Sequence, residues 1–177
     1  MSLLKNIEVK DANGKVAEIY DEITGMWGGI PNPLKLLSVN PDALENLWTK
    51  LKYQMQFTSP SQKMLSMVRM LVSEESKCEY CVGVNSAALI NDFGLSTDEV
   101  QALKVDPSFA PLDEKEKTLL LFVLKAVHDS HSTNADDIKC LHALGWNDKE
   151  ILDAVNSGVT MLSMDILINA FKVEIDY

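Results

Sequence analysis

The chain has 177 residues, of which 46% are hydrophobic, so it is long enough to bury a substantial core as one domain. Its net charge of −10 argues against nucleic acid and anionic membranes as partners, because phosphate groups are bound by basic side chains and here 26 acidic residues face 16 basic ones. The apolar run 118–127 is too short to span a bilayer, and no secretory leader is evident. Three cysteines form no disulfide framework, so we expect a soluble protein in a reducing compartment, the cytoplasm.

Apolar residues recur at helical spacing almost throughout, and no segment alternates as a β-strand would. The sequence therefore predicts an all-α fold of about eight or nine helices. We interpret it as one domain, with an N-terminal half of about 1–105 and a C-terminal half of about 112–177. The predicted helices cover 15–26 and 33–38, then one capped by Asn40, one begun at Ser59-Pro60 and followed by a polar break at 73–77, one from 78 to 93, and four begun at Ser96, Asp113, Asn134 and Asn147.

The stretch Lys77-Cys78-Glu79-Tyr80-Cys81 places two cysteines three positions apart at a predicted helix start. The positive end of a helix dipole favours thiolate, the reactive form of cysteine. A redox pair, a structural pair and a metal site all remain open. Metal is the weakest of these, because tetrahedral zinc needs four ligands and no second cysteine or histidine pair has ligand spacing.

Longer stretches around this motif resemble one family. "GKVAEIYDEI", "GIPNPLKLLSVNPDALENLW" and "VSEESKCEYCVGVNSAAL", with "LGWNDKEILDAVNSGVTMLSMDILINAFKVE" near the end, are similar to alkylhydroperoxidase D (AhpD) and carboxymuconolactone decarboxylase-like proteins, in the peroxidase-related subgroup. The resemblance implies an AhpD-like helical fold and a homo-oligomer (dimer, trimer or hexamer). It also implies hydroperoxide reduction without a cofactor or metal, with a dithiol or lipoyl-type reductant. Cys81 would attack the peroxide and Cys78 would resolve the product.

Two positions depart from the family pattern. The family's proton-relay histidine is Asn85 here, and its glutamate, twelve residues before the first cysteine, is Ser66. Neither side chain is an effective base, so we expect any peroxide reduction to be slow. The candidate site is therefore Cys78, Cys81, Asn85 and Ser66, with Asn85 orienting the sulfur or a water, and Ser66 contributing only if its helix packs on the cysteine helix.

Other groups offer weaker candidates for the missing base. One of the nearby carboxylates could accept a proton, although a carboxylate also disfavours thiolate. The histidines are expected to cap helices or to remain outside the site, and Cys140 is expected to be a buried thiol. These residues are Glu74, Glu75, Glu79, His128, His131 and His142.

Two hypotheses follow. The first is a weak thiol peroxidase acting through Cys81 and Cys78. The second is a non-catalytic or redox-sensing helical oligomer that kept the cysteines and lost the relay. A Cys81 pKa below about 8.5 would favour the first, and a raised one the second. Lactone decarboxylation rests on the family name alone.

Overall fold

The computed structural model describes residues 2–176, and within that span all regular structure is helical. This confirms the all-α prediction. Short 3₁₀ turns lie at Val9–Asp11, Pro107–Phe109 and Ser130–Ser132. The α-helices are α1 (Gly14–Trp27), α2 (Asn32–Leu37), α3 (Pro41–Met55), α4 (Gln62–Glu75), α5 (Glu79–Asn91), α6 (Thr97–Val105), α7 (Glu114–His128), α8 (Ala135–Ala143) and α9 (Asp148–Phe171).

Most helix starts are stabilised by side-chain caps that the sequence predicts. The Asn40 side chain accepts hydrogen bonds from the first backbone N–H groups of α3. Ser96 with Glu99 at α6, and Asn134 with Asp137 at α8, form complete capping boxes. Because these bonds satisfy N–H groups that have no partner inside the helix, the predicted starts are confirmed.

The region before the cysteines differs from the prediction. α4 is capped by Ser61 rather than begun at Ser59, and it continues to Glu75 through most of the expected polar break. Ser73 is completely buried inside this last turn. The chain then turns at Lys77, whose φ of 55° lies in the left-handed region. Serine is common in loops, which is why the sequence predicts a break, but the Ser73 hydroxyl lies in the protein interior.

Backbone contacts divide the chain into two compact units, which we describe separately. The first comprises residues up to Gln56 together with those from Leu167 onward. Its core is built around Trp48, whose ring nitrogen donates to Glu22 at 2.8 Å and whose ring meets the edge of Trp27. The predicted inner face of α1 is confirmed, since its four apolar positions are buried: Val16, Ile19, Tyr20 and Ile23.

The second unit, Phe57–Ile166, contains the cysteines and the larger core. α4 packs against both α5 and α7, and its Met64, Met67 and Met70 side chains are fully buried. The methionine-rich face is therefore core. This unit runs through 106–112. The single domain with its two halves stays a prediction.

α9 is the one helix in the described span that is long and apolar enough to cross a membrane by length and composition. The prediction from sequence concerned only the shorter run at 118–127. Half of the apolar window of α9 is buried inside the protein. A core helix of a soluble protein has the same length and composition, so this finding is weak evidence for a span.

Candidate functional site

The start of α5 positions both cysteines of the motif. Cys78 is the N-cap residue and Cys81 lies in the first turn, as the sequence predicts. The backbone N–H of Cys78 donates to the Ser73 carbonyl at 2.9 Å, which anchors the start of α5 to the end of α4. Both thiols are free and buried, with Cys78 0% and Cys81 5% exposed.

A buried carboxylate from α9 completes this site. Asp165 is 0% exposed, and a carboxylate oxygen and the two sulfur atoms all lie within 4.8 Å of one another. The Ser73 hydroxyl donates to one carboxylate oxygen at 3.0 Å, and the Ser76 hydroxyl donates to the other at 2.7 Å. The two serine hydroxyls thus fix both oxygens of Asp165 against the thiol pair.

Sequence reasoning missed Asp165, Ser73 and Ser76. A signal was present, because Asp165 is the only charged residue between positions 154 and 171 of an otherwise uncharged stretch of helix. A buried charge is costly unless it is hydrogen-bonded, so a lone acid on a core helix indicates partners supplied by another element. The identity of these hydrogen-bond partners depends on how α9 packs against the turn between α4 and α5.

The two thiols differ in acidity. The hydrogen bond from the Cys81 thiol holds the pKa of Cys78 below its ordinary value, although burial and the Asp165 charge act in the opposite direction. The hydrogen bond to Cys78 raises the pKa of Cys81 far above its ordinary value, and burial and Asp165 add to that increase. The pair therefore releases one proton readily and the second only with difficulty, as coupled groups do. By the sequence criterion the raised pKa of Cys81 alone favours the non-catalytic hypothesis.

Asn85 lies on the cysteine helix α5 and Ser66 lies on the neighbouring α4, and a third residue joins them. α4 packs on α5, as a role for Ser66 requires. Ser66 is 2% exposed and Asn85 is 7% exposed. Arg69 donates from Nη2 to Ser66 Oγ at 2.7 Å and from Nε to Asn85 Oδ1 at 3.1 Å. The Asn85 amide donates to the Cys81 carbonyl at 2.8 Å. The Asn85 amide also approaches the Met161 sulfur at 3.9 Å. Its contact with Cys81 is to the backbone carbonyl, and its role toward the Cys81 sulfur stays a prediction.

Most of the weaker base candidates pair with residues outside the cysteine site. Glu74 pairs with Lys104 at 3.5 Å and Glu75 pairs with His128. Glu79 is exposed, His131 lies in a 3₁₀ turn, and His142 pairs with Asp148 at 2.8 Å.

The expectation of a buried Cys140 is wrong. This thiol is exposed, since α8 turns only Leu141 fully into the core.

The donor set could also hold a divalent cation. Two sulfurs and a carboxylate oxygen within 4.8 Å are soft and hard ligands of the kind that zinc accepts. Among the described residues no further histidine, cysteine or acid joins them, so such a site would keep an open fourth position. The expectation that the protein needs no metal stays a prediction.

No family profile matches the sequence, and no curated protein matches it. Solved structures do match in fold. An uncharacterised peroxidase-related protein from Silicibacter sp. TM1040 superposes with a TM-score of 0.83 at 22% identity, covering 99% of this chain and 92% of that one. A protein from Ralstonia eutropha JMP134, described as an alkylhydroperoxidase AhpD core and peroxidase-related, gives 0.85 at 19% identity with the same coverages.

A third match is the debrominase Bmp8, in a variant form bound to 2,3,4-tribromopyrrole. It gives a TM-score of 0.78 at 13% identity and covers 99% of this chain and 94% of that one. At these identities the likeness is one of fold. The chain has the all-helical fold of AhpD-like, peroxidase-related proteins, as the sequence resemblance implied.

Proposed function

We propose that this protein is a thiol-dependent oxidoreductase that reduces hydroperoxides through a dithiol–disulfide cycle of Cys78 and Cys81. The observation that carries the proposal is the packing of both thiols against the buried Asp165 carboxylate. The descriptions of two proteins of the same fold as peroxidase-related support it. The debrominase of the same fold is a reminder that a fold does not dictate its substrate.

The chemistry balances within the pair. The sulfur of Cys81 attacks the terminal peroxide oxygen, the O–O bond breaks, and the products are a sulfenic acid and the alkoxide, which takes a proton to leave as an alcohol. The sulfur of Cys78 then attacks the sulfenic sulfur, forming the disulfide and releasing water. A dithiol or lipoyl-type reductant returns two electrons and two protons by thiol–disulfide exchange.

Asp165 is our candidate for the proton acceptor, the role that the relay histidine has in the family pattern. In the resting pair the acidic thiol is Cys78, so Cys81 must lose its proton as it attacks. Cys78 and the Asp165 carboxylate both lie in reach of that proton. We assign the attack to Cys81 because the family resemblance implies that role for the second cysteine of the motif. A carboxylate also repels thiolate, so this arrangement is slower than a histidine relay.

We further propose that the protein acts as a homo-oligomer in a reducing compartment such as the cytoplasm. α9 exposes Leu152, Val159 and Ile166, which are seven residues apart and so share one face. Second copies of the chain would cover this face. Neither nucleic acid nor a membrane is a proposed partner, given the net charge of −10.

The second candidate is a non-catalytic or redox-sensing helical oligomer. The observation that favours it is the near-complete burial of both sulfurs together with the raised pKa of Cys81. A buried, protonated thiol is unreactive. Under this alternative the cysteine pair oxidises only when the protein opens.

One titration separates the two candidates. The reduced protein is mixed with one equivalent of cumene hydroperoxide, and lost thiols, disulfide and trapped sulfenic acid are measured in the wild type and in Cys81→Ser, Cys78→Ser and Asn85→His. Catalysis predicts loss of two thiols, no reaction in Cys81→Ser, and a sulfenic acid at Cys81 in Cys78→Ser. Asn85→His should react faster than the wild type, because it restores a titratable base near the site.

The opposite pattern refutes the proposal. A wild type that keeps its thiols, with reaction only in Asn85→His, means that the fold has left peroxide chemistry. Sulfenic acid found at Cys78 in the Cys81→Ser variant would reverse the two cysteine roles.

A further inference from the structure

Arg69 is the only arginine in the chain, and it is placed where the family's relay residues are missing. It lies on α4 and hydrogen-bonds both Ser66 and Asn85, the two substituted positions. A serine hydroxyl and an amide oxygen are neutral partners, so neither neutralises the guanidinium. The two positions that depart from the family pattern are therefore hydrogen-bonded by the same cation.

This cation has no counter-charge among the described residues. Lys104, Lys125 and Lys149 each pair with an acidic side chain, whereas Arg69 contacts no carboxylate within residues 2–176. Burial lowers the pKa of Arg69 to about 10, which still leaves the side chain charged at neutral pH. A partly buried charge without a counter-charge is costly, even when neutral groups accept its hydrogen bonds.

The guanidinium keeps hydrogen-bond donors available beside the cysteine helix. Only one N–H of Nε and one of Nη2 have hydrogen-bond partners in the described structure, so the Nη1 side of the fork makes none. Arg69 is only partly buried, so some of the residue is accessible to solvent. The Asn85 amide that accepts from Arg69 donates to the backbone of Cys81, so the cation is two hydrogen bonds from the proposed nucleophile's residue.

We propose that Arg69, with Ser66 and Asn85, forms a binding site for a carboxylate group, so that the substrate is an acid-bearing organic hydroperoxide rather than a neutral one. That the substrate is a hydroperoxide rests on the proposed function, whereas the carboxylate site rests on Arg69 itself. A planar guanidinium fork matches a carboxylate in two parallel hydrogen bonds, which a lysine cannot reproduce. Since the protein as a whole repels anions, the selectivity comes from this one residue.

The test separates binding from turnover. Binding is measured by calorimetry with an unreactive probe, cumyl alcohol carrying a para-carboxylate, against its neutral para-carboxamide. The wild type should bind the carboxylate at least about tenfold more tightly, as one additional charged pair of hydrogen bonds would give. Arg69→Gln should abolish this preference and Arg69→Lys should weaken it.

Lys104→Gln is the matched control, since it removes the same charge from a lysine already paired with Glu74 and should leave the preference intact. If Arg69→Gln does not fold, the comparison of the two probes on the wild type still decides. Equal affinity of the wild type for carboxylate and carboxamide overturns the proposal. So does a shift in oligomer mass in Arg69→Gln without any carboxylate preference, which would mean that a second copy supplies the counter-charge.

Turnover is compared with cumene hydroperoxide and its para-carboxylate. Faster reaction of the carboxylate in the wild type, but not in Arg69→Gln, is the expected result. Carboxylate binding without any thiol oxidation would refute the peroxidase function and leave the anion site standing. Thiol oxidation at equal rates with both hydroperoxides would refute the carboxylate preference and leave the peroxidase function standing.

Discussion

Asp165 has two opposing effects on the cysteine pair at the scale of single residues. Its charge raises the pKa of both thiols, which lowers the thiolate fraction at neutral pH. Its oxygens, fixed by Ser73 and Ser76, are also positioned to accept a proton. If it served only as a structural anchor, removing its charge would make the thiols more reactive toward every electrophile.

Asp165→Asn should therefore separate two rates. Without the carboxylate charge the thiol pKa values fall, so alkylation by iodoacetamide becomes several-fold faster at pH 7 and its pH midpoint moves to lower pH. Reduction of hydroperoxide should instead slow about tenfold, because a general base typically contributes at least that much. Both rates are read by stopped-flow thiol loss.

Asp153→Asn is the control, a buried acid on the same helix that pairs with Lys149 away from the cysteines. It should change neither rate. If both rates rise together in Asp165→Asn, Asp165 is not the proton acceptor.

At the scale of elements, α9 carries the site because it packs closely against its neighbours. Gly158 lies in the middle of this helix, and a Cβ placed there would meet Val127 at 2.9 Å and Val123 at 3.1 Å. Both valines are on α7, and branched side chains in a close-packed core yield little. The glycine permits the helix contact that holds Asp165 in the core.

Gly158→Ala should destabilise the protein by up to about 2 kcal/mol. Alanine favours helix by about 1 kcal/mol over glycine, but overpacking costs about 1–3 kcal/mol. Gly25→Ala on α1, where nothing lies within 4 Å, should stabilise by up to about 1 kcal/mol. Urea unfolding of both variants measures the difference, and a stabilised Gly158→Ala would show that α7 and α9 are more loosely packed than this.

For the whole molecule, the question is what covers the outer face of α9. Leu152, Val159 and Ile166 are 68%, 48% and 58% exposed, a spacing of two helical turns that is typical of helix-to-helix seams. The same helix turns Asp165 inward, so an oligomer built on this face would stiffen the helix that holds the site.

Val159→Lys should shift the protein from oligomer to monomer in light scattering at micromolar concentration, because a charge in the centre of an apolar seam must be desolvated. Val105→Lys is the control, since Val105 is 85% exposed and lies outside this face. A monomeric wild type, or an oligomer unaffected by Val159→Lys, would exclude the seam.

Much of this protein is determined by local sequence. Helix type and most boundaries follow from apolar spacing and from caps such as Asn40 and Ser96, which act within one turn of the chain. The position of the thiols at the start of α5 is local for the same reason. These interactions join residues only a few positions apart, so they can be read without knowing the fold.

The composition of the site was decided by tertiary structure. Asp165 is 92 positions from Ser73 and 89 from Ser76, and Arg69 is 16 from Asn85. No periodicity encodes which buried acid meets which hydroxyl, because that depends on the packing of α4, α5 and α9. Local sequence was enough to place two thiols on a helical scaffold. The packing of distant helices set a carboxylate beside them and brought Ser66 and Asn85 onto the single arginine.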